Sequence, residues 1–389
     1  MSWMIREDLL DPDQRMFINE ESRKAGNIWI QGFAGSGKSI LLVHTMKRIL
    51  AQNPQARVAV VVFTRSLIDL FRSGISDLGL SQTISVMTYI EFVDKNNEHF
   101  DFLFCDEVQD LPAKALLEMK KRSKKIFVAG DSNQSIYDQD PRWREPVVSP
   151  AQIGELIMAR PFTLGVIHRL TKSIIDAVQK LLPEMNIFGA KRDLTKVNVQ
   201  IRLCEAVSEK EEVEFVISES VKATQHGDST AILFSTGKDV MRFCNVALRS
   251  KGYAAWGEHK NQYGKLDYGV LNQYLRGRGI KMQFVGSGYG SLRNAQNNHE
   301  AILMTYHSSK GLDFENVFIP FVNSSLYLHP LNPETLFMVA LTRSRKNLYL
   351  TYFGYTHSVV DRFKSVCNHI TIGASNSANS GDSDEIFDF

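Results

Sequence analysis

The chain is poor in cysteine. Its four, Cys105, Cys204, Cys244 and Cys367, stand far apart and form no C-x-x-C pair. That spacing argues against a disulfide framework and a zinc site, and it is the pattern of reduced thiols in a cytoplasmic protein. Charge of one sign is lacking too: 45 basic against 43 acidic side chains leave a net of +2. A surface for nucleic acid must then be a local patch rather than a global field. No apolar run approaches the roughly 18 residues that a membrane span needs, so no membrane partner is expected. The opening residues hold no basic stretch leading into an apolar run, so no signal peptide is expected. There is no internal repeat. What is plentiful is core material: 43% of the 389 residues are hydrophobic, enough for two domains of ordinary size.

Within that unremarkable composition one stretch stands out. Gly32-Phe33-Ala34-Gly35-Ser36-Gly37-Lys38-Ser39 fits G-x-x-x-x-G-K-[ST]. It follows a short apolar strand, Asn27 to Gln31, and opens a helix that starts at Ile40. Strand, loop and helix are the context that a phosphate-binding loop requires. Its glycines let backbone N–H groups turn towards a polyphosphate, and the helix N-terminus adds its positive end. Lys38 is placed to reach the outer phosphates, and the Ser39 hydroxyl to ligate Mg²⁺.

A second signal is Phe102-Leu-Phe-Cys-Asp106-Glu107-Val-Gln-Asp110. An apolar strand delivers two adjacent carboxylates at its end. Asp106 is placed to hold Mg²⁺, and Glu107 to take a proton from an attacking water. Upstream, Asp11 or Asp13 can cap a helix with Gln14 in its first turn. A glutamine amide matches the N6/N7 edge of adenine, although alone such a residue is ordinary surface. The strand Arg57 to Phe63 is apolar throughout, as in a parallel sheet covered on both faces, and ends in Phe63-Thr64. Another strand ends at Thr88-Tyr89. Gln134, in the loop after the strand from Lys125, could read the terminal phosphate. Tyr137 and Trp143 are either core anchors or platforms for unpaired bases.

Residues 138–150 read as a connection, and the main junction is placed near residue 160. Helices are expected from Leu170 to Leu182, from Ser208 to Gln225 and from Lys238 to Lys251. Residues 257–299 hold six basic and two acidic side chains with eight glycines and scattered tyrosines. This is either a single-strand surface or a flexible glycine-rich insertion. Residues 373–389 have the composition of a disordered acidic tail.

Taken in order, these motifs resemble those of superfamily 1 helicases of the UvrD/Rep/PcrA kind. Gln14 matches the adenine-reading motif, Gly32 to Ser39 motif I, Phe63-Thr64 motif Ia and Thr88-Tyr89, loosely, motif Ib. Asp106 to Asp110 matches the family's Asp-Glu-Ala-Gln-Asp, and Gly130 through Tyr137 motif III. Arg169 matches motif IV, Thr305 through Phe314 motif V, and Val339 to Arg343 motif VI. The resemblance implies an α/β fold of two RecA-like P-loop lobes with parallel sheets, over 1–160 and 161–372, with ATP and Mg²⁺ between them. It implies that Arg169 and Arg343 act on the transferring phosphate from the second lobe, and that Asp313 contacts the ribose. It implies that Phe63, Thr64, Thr88, Tyr137, Trp143, Thr305 and His307 meet single-stranded DNA. An RNA-directed enzyme of the same fold is a third reading, because 2′-hydroxyl contacts are invisible in sequence. The branch it suggests moves 3′ to 5′.

The chain departs from the family at Ile40 and His168, where an arginine and a tyrosine usually sandwich the adenine. Trp143 lies further from motif III than usual. Accessory domains are missing or minimal. A compact motor of this kind implies a protein partner, such as a nuclease subunit in a DNA-repair or phage-defence complex, or a single-strand-binding protein network. The alternative is an ATPase switch that controls such a partner with little unwinding of its own.

Overall fold

The computed structural model describes residues 4–80, 84–131, 135–185, 191–192, 196–329 and 332–373. The expected tail therefore lies outside the described residues, apart from Gly373, as does Gln134. The chain divides into two compact units. One comprises Met1–Leu170, Met185–Lys196 and Pro330–Thr335, the other Thr171–Glu184, Val197–His329 and Leu336–Phe389.

The first unit is built on six strands: β1 (Asn27–Gln31), β2 (Val58–Val62), β3 (Ser85–Thr88), β4 (Phe100–Cys105), β5 (Ser123–Gly130) and β6 (Ala159–Thr163). They form one sheet in the order β3-β2-β4-β5-β1-β6, parallel throughout. Parallel pairing requires crossovers, and helices such as Lys38–Gln52, Arg65–Asp77 and Ala113–Lys121 supply them. All five residues of β2 are buried, as an all-apolar strand between two helical layers must be. Phe104 and Phe127, paired on the adjacent strands β4 and β5 of the same sheet, stack at 4.9 Å.

β6 corrects the expected junction near residue 160, which would cut this strand in two. It pairs with β1 from Asn27↔Ala159 to Gln31↔Thr163, so the first unit runs on past it. Its sequence, Ala-Arg-Pro-Phe-Thr, hides a strand because Pro161 cannot donate to a ladder. At the sheet's outer edge that donor is not needed.

A two-stranded pair, β7 (Val166–Ile167) with β8 (Lys191–Arg192), follows in the same unit. The second unit carries β9 (Gln200–Ala206), β10 (Thr230–Phe234), β11 (Met282–Phe284), β12 (Ala301–Thr305), β13 (Phe314–Ile319), β14 (Ser344–Phe353) and β15 (Asn368–Thr371). These make a seven-stranded parallel sheet in the order β11-β12-β10-β13-β14-β9-β15. The helices Glu209–Gln225 and Gly237–Ser250 are capped by the Ser208 and Thr236 hydroxyls, which accept from the N–H groups of Glu211 and Asp239. Two α/β units with parallel sheets are thus what the resemblance implied.

Residues 257–299 are not a loose insertion; of their aromatics Tyr268 and Phe284 are buried, Tyr274 and Tyr289 half-buried and Tyr263 exposed. Asp267 caps the helix Tyr268–Arg276, β11 forms the edge of the sheet, and Leu292–Asn297 is a short helix. Leu271, Leu275, Met282 and Phe284 enter the core of the second unit, and Tyr268 stacks on Phe284 at 3.7 Å. Apart from Gly269, in the first turn of the helix Tyr268–Arg276, the glycines lie between these short elements, which explains the loop-like composition. Arg276, Lys281 and Arg293 stay exposed on this framework. No helix among the described residues is long and apolar enough to cross a membrane.

Candidate nucleotide-binding site

In a parallel sheet the carboxyl ends of all strands share one edge. At that edge of the first sheet the chain places the phosphate loop after β1, Phe63-Thr64 after β2, Tyr89 after β3, Asp106-Glu107 after β4 and Asp131 after β5. The loop turns through Gly35 and Gly37 at φ +78° and +84°, in the left-handed region, before the helix Lys38–Gln52. A Cβ on Gly35 would lie 2.5 Å from Arg169 Cβ, and one on Gly37 2.4 Å from Gln14 Nε2. Two neighbours therefore press on the loop where it has no side chains.

Lys38 is 8% exposed and donates from Nζ to the loop carbonyls of Gly32 (2.7 Å) and Phe33 (3.0 Å). The ammonium is thus folded over the cradle that it would share with phosphate. Ser39 Oγ donates to Asp106 Oδ2 at 2.5 Å, which brings together the two groups expected around Mg²⁺. Burial, and then the charge of Glu107, push the Asp106 pKa up to about 6. A buried carboxyl pair in this state gains from a cation. The Ser36 hydroxyl is fully buried with no hydrogen-bond partner among the described residues. Positive-φ glycines, a fifteen-residue helix and a hydroxyl–carboxylate pair fit a triphosphate with Mg²⁺.

Glu107 sits at φ +54°, so the chain turns back on itself at once. The turn returns Gln109, whose Nε2 donates to Glu107 Oε2 at 2.6 Å. Gln109 Oε1 accepts from the Asp131 N–H at 3.2 Å, and Asp131 Oδ2 accepts from the Ala34 N–H at 2.8 Å. A buried chain of hydrogen bonds thus links the loop to the carboxylate expected to act as base. Gln109 and Asp131 received no role from the sequence. The signal lay within the quoted motifs, but only the left-handed turn at Glu107 shows where Gln109 points.

Gln14 sits against the phosphate loop. It is 1% exposed, donates from Nε2 to Ser36 O (3.0 Å) and accepts at Oε1 from the Asp11 N–H (3.1 Å). The capping box at Asp11 turns the amide into the loop, with one of its two N–H groups on the Ser36 carbonyl. His168 donates from Nε2 to Asp11 Oδ2 at 2.5 Å, and its backbone N–H donates to Gly35 O at 2.9 Å. Arg169 follows it, in the first unit and not in the second as the resemblance implied. Ile40 is half-buried in the first turn of the loop helix.

Arg343 lies in the second unit, 1% exposed. It donates to the carbonyls of Val339 (2.7 Å) and Leu312 (2.9 Å) and to Thr342 Oγ1 (2.9 Å). Its guanidinium therefore braces its own unit rather than projecting from the helix end. Asp313 is half-buried and pairs with Arg345 at 3.8 Å.

Of the residues expected at nucleic acid, the structure groups the aromatic ones. Phe63 stacks on Tyr89 (5.3 Å) and meets Tyr137 (4.9 Å). Trp143 packs edge-on against Tyr89 (5.6 Å) beneath Lys114 Nζ (4.5 Å). Phe63 is 8% exposed, while Tyr137 and Trp143 are half-buried. Thr88 and Thr305 use their hydroxyls as helix caps, and Thr64 Oγ1 shares a hydrogen bond with Ser66. Burial, with His329 and Lys310 nearby, pushes the His307 pKa down to about 4. At pH 7 His307 is neutral and adds no cation for a phosphate.

Residues 14–140 match the family model described as an AAA domain, and residues 287–355 the model described as the UvrD-like helicase C-terminal domain. No curated protein matches the chain. Among solved structures it is similar to Arterivirus nonstructural protein 10 (helicase), at 14% identity over 90% of this chain and 63% of that one, TM-score 0.42. The same viral protein solved with DNA gives 13% identity over 88% and 64%, TM-score 0.42. The PRRSV helicase gives 14% over 84% and 52%, TM-score 0.43. The chain thus spans between about half and two thirds of the length of these solved helicases. The first match contains the phosphate loop and the carboxylate pair, and the second contains Thr305 to Phe314 and Val339 to Arg343, so the chain carries an AAA domain and a UvrD-like helicase C-terminal domain, in line with a UvrD-like superfamily 1 helicase.

Proposed function

We propose that the chain is an ATP-dependent single-stranded DNA translocase or helicase moving 3′ to 5′. The observation that carries this reading is the Ser39–Asp106 pair with Glu107 oriented beside it by Gln109. In this reading Lys38 and the loop N–H groups hold the β- and γ-phosphates, Ser39 and Asp106 hold Mg²⁺, and Glu107 accepts the proton of the attacking water. The metal supplies charge neutralisation on the phosphoryl oxygens. The Phe63–Tyr89–Tyr137–Trp143 group lies on the same sheet edge and would answer strand binding with a shift at the carboxylates. Arg169 and Arg343 stabilise the transferring phosphoryl group, and Asp313 the ribose. The second lobe begins after Leu170, and the compact chain works beside a nuclease subunit or single-strand-binding protein. Four buried, unbridged cysteines fit a reducing compartment such as the cytoplasm.

The enclosed Arg343 favours a second reading, an ATPase switch whose arginine is released only when a partner or strand is bound. One experiment separates the two. ATP turnover is measured with and without single-stranded DNA and RNA, with Lys38→Ala as the blank. Strong stimulation by DNA supports the motor. Turnover indifferent to both nucleic acids removes the motor reading and leaves the switch.

A further inference from the structure

We propose that Asp140 is a positioning residue for single-stranded DNA: it builds a hairpin from residues 138–147 and sets Trp143 at the tip as a stacking platform. The inference rests on the strand-binding reading above and deepens it by naming what aims the indole.

Composition made this stretch a plain connection, yet the chain runs out and back in register. The Val147 N–H donates to Asp138 O at 3.1 Å, Gln139 bridges Pro146 in the antiparallel sense, and the Asp140 N–H donates to Glu145 O at 2.7 Å. The foot is held too. Val147 bridges Pro112, and the Val148 N–H donates to Leu111 O at 2.9 Å, on the segment that follows Asp106 and Glu107. Pro141, Arg142, Trp143 and Arg144 are left to make the tip. Arg144, at φ +60°, closes it by donating its N–H to Asp140 O at 3.0 Å.

The Asp140 side chain is fully buried, which is unfavourable for a carboxylate unless donors surround it. Three donors meet it. Oδ2 accepts from the N–H groups of Arg142 at 2.9 Å and Trp143 at 2.5 Å, and Oδ1 accepts from the Tyr89 hydroxyl. Burial, and then Asp140 itself, push the Tyr89 pKa up, so this hydroxyl keeps its proton and is the donor. One carboxylate thus sets the backbone of the tip and ties it to the helix Tyr89–Asp94. The same helix holds Arg142 through Asp94 at 3.5 Å. The indole is thereby seated edge-on against Tyr89, under the Lys114 ammonium and between two exposed arginines. A ring among cations suits unpaired bases and their phosphates whatever the sequence.

The test is binding of oligodeoxythymidylate to the full chain, by anisotropy with a labelled strand and by quenching of tryptophan emission with an unlabelled one. Trp143→Ala is expected to raise the dissociation constant roughly 5- to 150-fold and to lose part of the quenching. Asp140→Ala should match it in both. It should also raise the DNA concentration for half-maximal ATP turnover while kcat at saturating DNA stays near the native value. The double variant should bind no more weakly than Trp143→Ala, because Asp140 acts through Trp143; additive losses overturn the proposal. Native affinity or native quenching in a folded Asp140→Ala also overturns it, and the loss in Trp143→Ala then leaves the strand-binding reading standing. Should Asp140→Ala fail to fold, Tyr89→Phe keeps the ring and removes one donor. It should raise the dissociation constant about two- to tenfold, and native affinity there overturns the proposal. Native affinity in Trp143→Ala removes the strand-binding reading of this cluster and the inference with it.

Discussion

Lys38, Glu107 and Gln109 carry the sharpest expectations at the scale of single residues. Lys38 already sits over the loop carbonyls, so Lys38→Ala should abolish nucleotide binding and turnover together, as read by calorimetry and phosphate release. Glu107→Gln keeps the shape of the Gln109 contact but cannot take a proton. Its kcat should fall by about 10²- to 10⁴-fold while ATP still binds. Normal hydrolysis by Glu107→Gln would remove it as the base. Gln109 acts only through Glu107, so Gln109→Leu should lower kcat and leave KM near the native value. A rise in KM at constant kcat would instead place Gln109 in nucleotide binding.

Single elements carry a different kind of prediction, because here burial decides. Glu212 lies on the buried face of the helix Glu209–Gln225. Its Oε1 accepts from the Phe321 N–H and the Thr351 hydroxyl, each at 2.7 Å, while Oε2 has no partner among the described residues. Burial pushes its pKa up to about 7, against the pull of those donors and of Arg242. A carboxyl whose pKa is raised on folding keeps its proton in the folded state while the unfolded chain loses it. Stability should therefore fall as pH rises from about 4.5 through about 7, by up to about 1.4 kcal/mol per pH unit, and then level off. Glu212→Gln should flatten that slope in melting temperature against pH; an unchanged slope would assign it to other groups. The segment 257–299 is tested in the same way. Leu271 is fully buried, so Leu271→Ala should cost about 2–5 kcal/mol in denaturant unfolding. A flexible insertion would absorb that change with little loss.

The whole molecule is where charge on the second unit matters. Arg276, 4.0 Å from Glu300, is exposed, as is Lys281, while Arg278 is half-buried against Tyr274 at 3.3 Å. If this face holds single-stranded DNA, neutralising Arg276, Arg278 and Lys281 together should flatten log K against log salt by about 2 in slope. An unchanged slope, by fluorescence anisotropy across a salt series, would make this face a plain surface of the fold.

Much of this was legible along the chain. Apolar strands ending in polar turns place a loop, a carboxylate pair and an aromatic end on one edge of a parallel sheet, because parallel pairing puts every carboxyl end on the same side. The strands and their motifs therefore pointed to an α/β fold and to Ser39 and Asp106 meeting at one cation, while the two lobes and the family came from the resemblance those motifs carry. The sequence did not determine the extent of the first unit, because β6 holds a proline, which an edge strand tolerates and a central strand does not. Nor could it show that a glycine-rich stretch packs a core, since short elements and their turns average to the composition of a loop. The largest gap concerns direction. Sequence names Gln14, His168 and Arg343 but not which way their side chains point. That is decided by a capping box, by a left-handed glycine that admits an amide, and by carbonyls that capture a guanidinium, all of which exist only once the chain has folded.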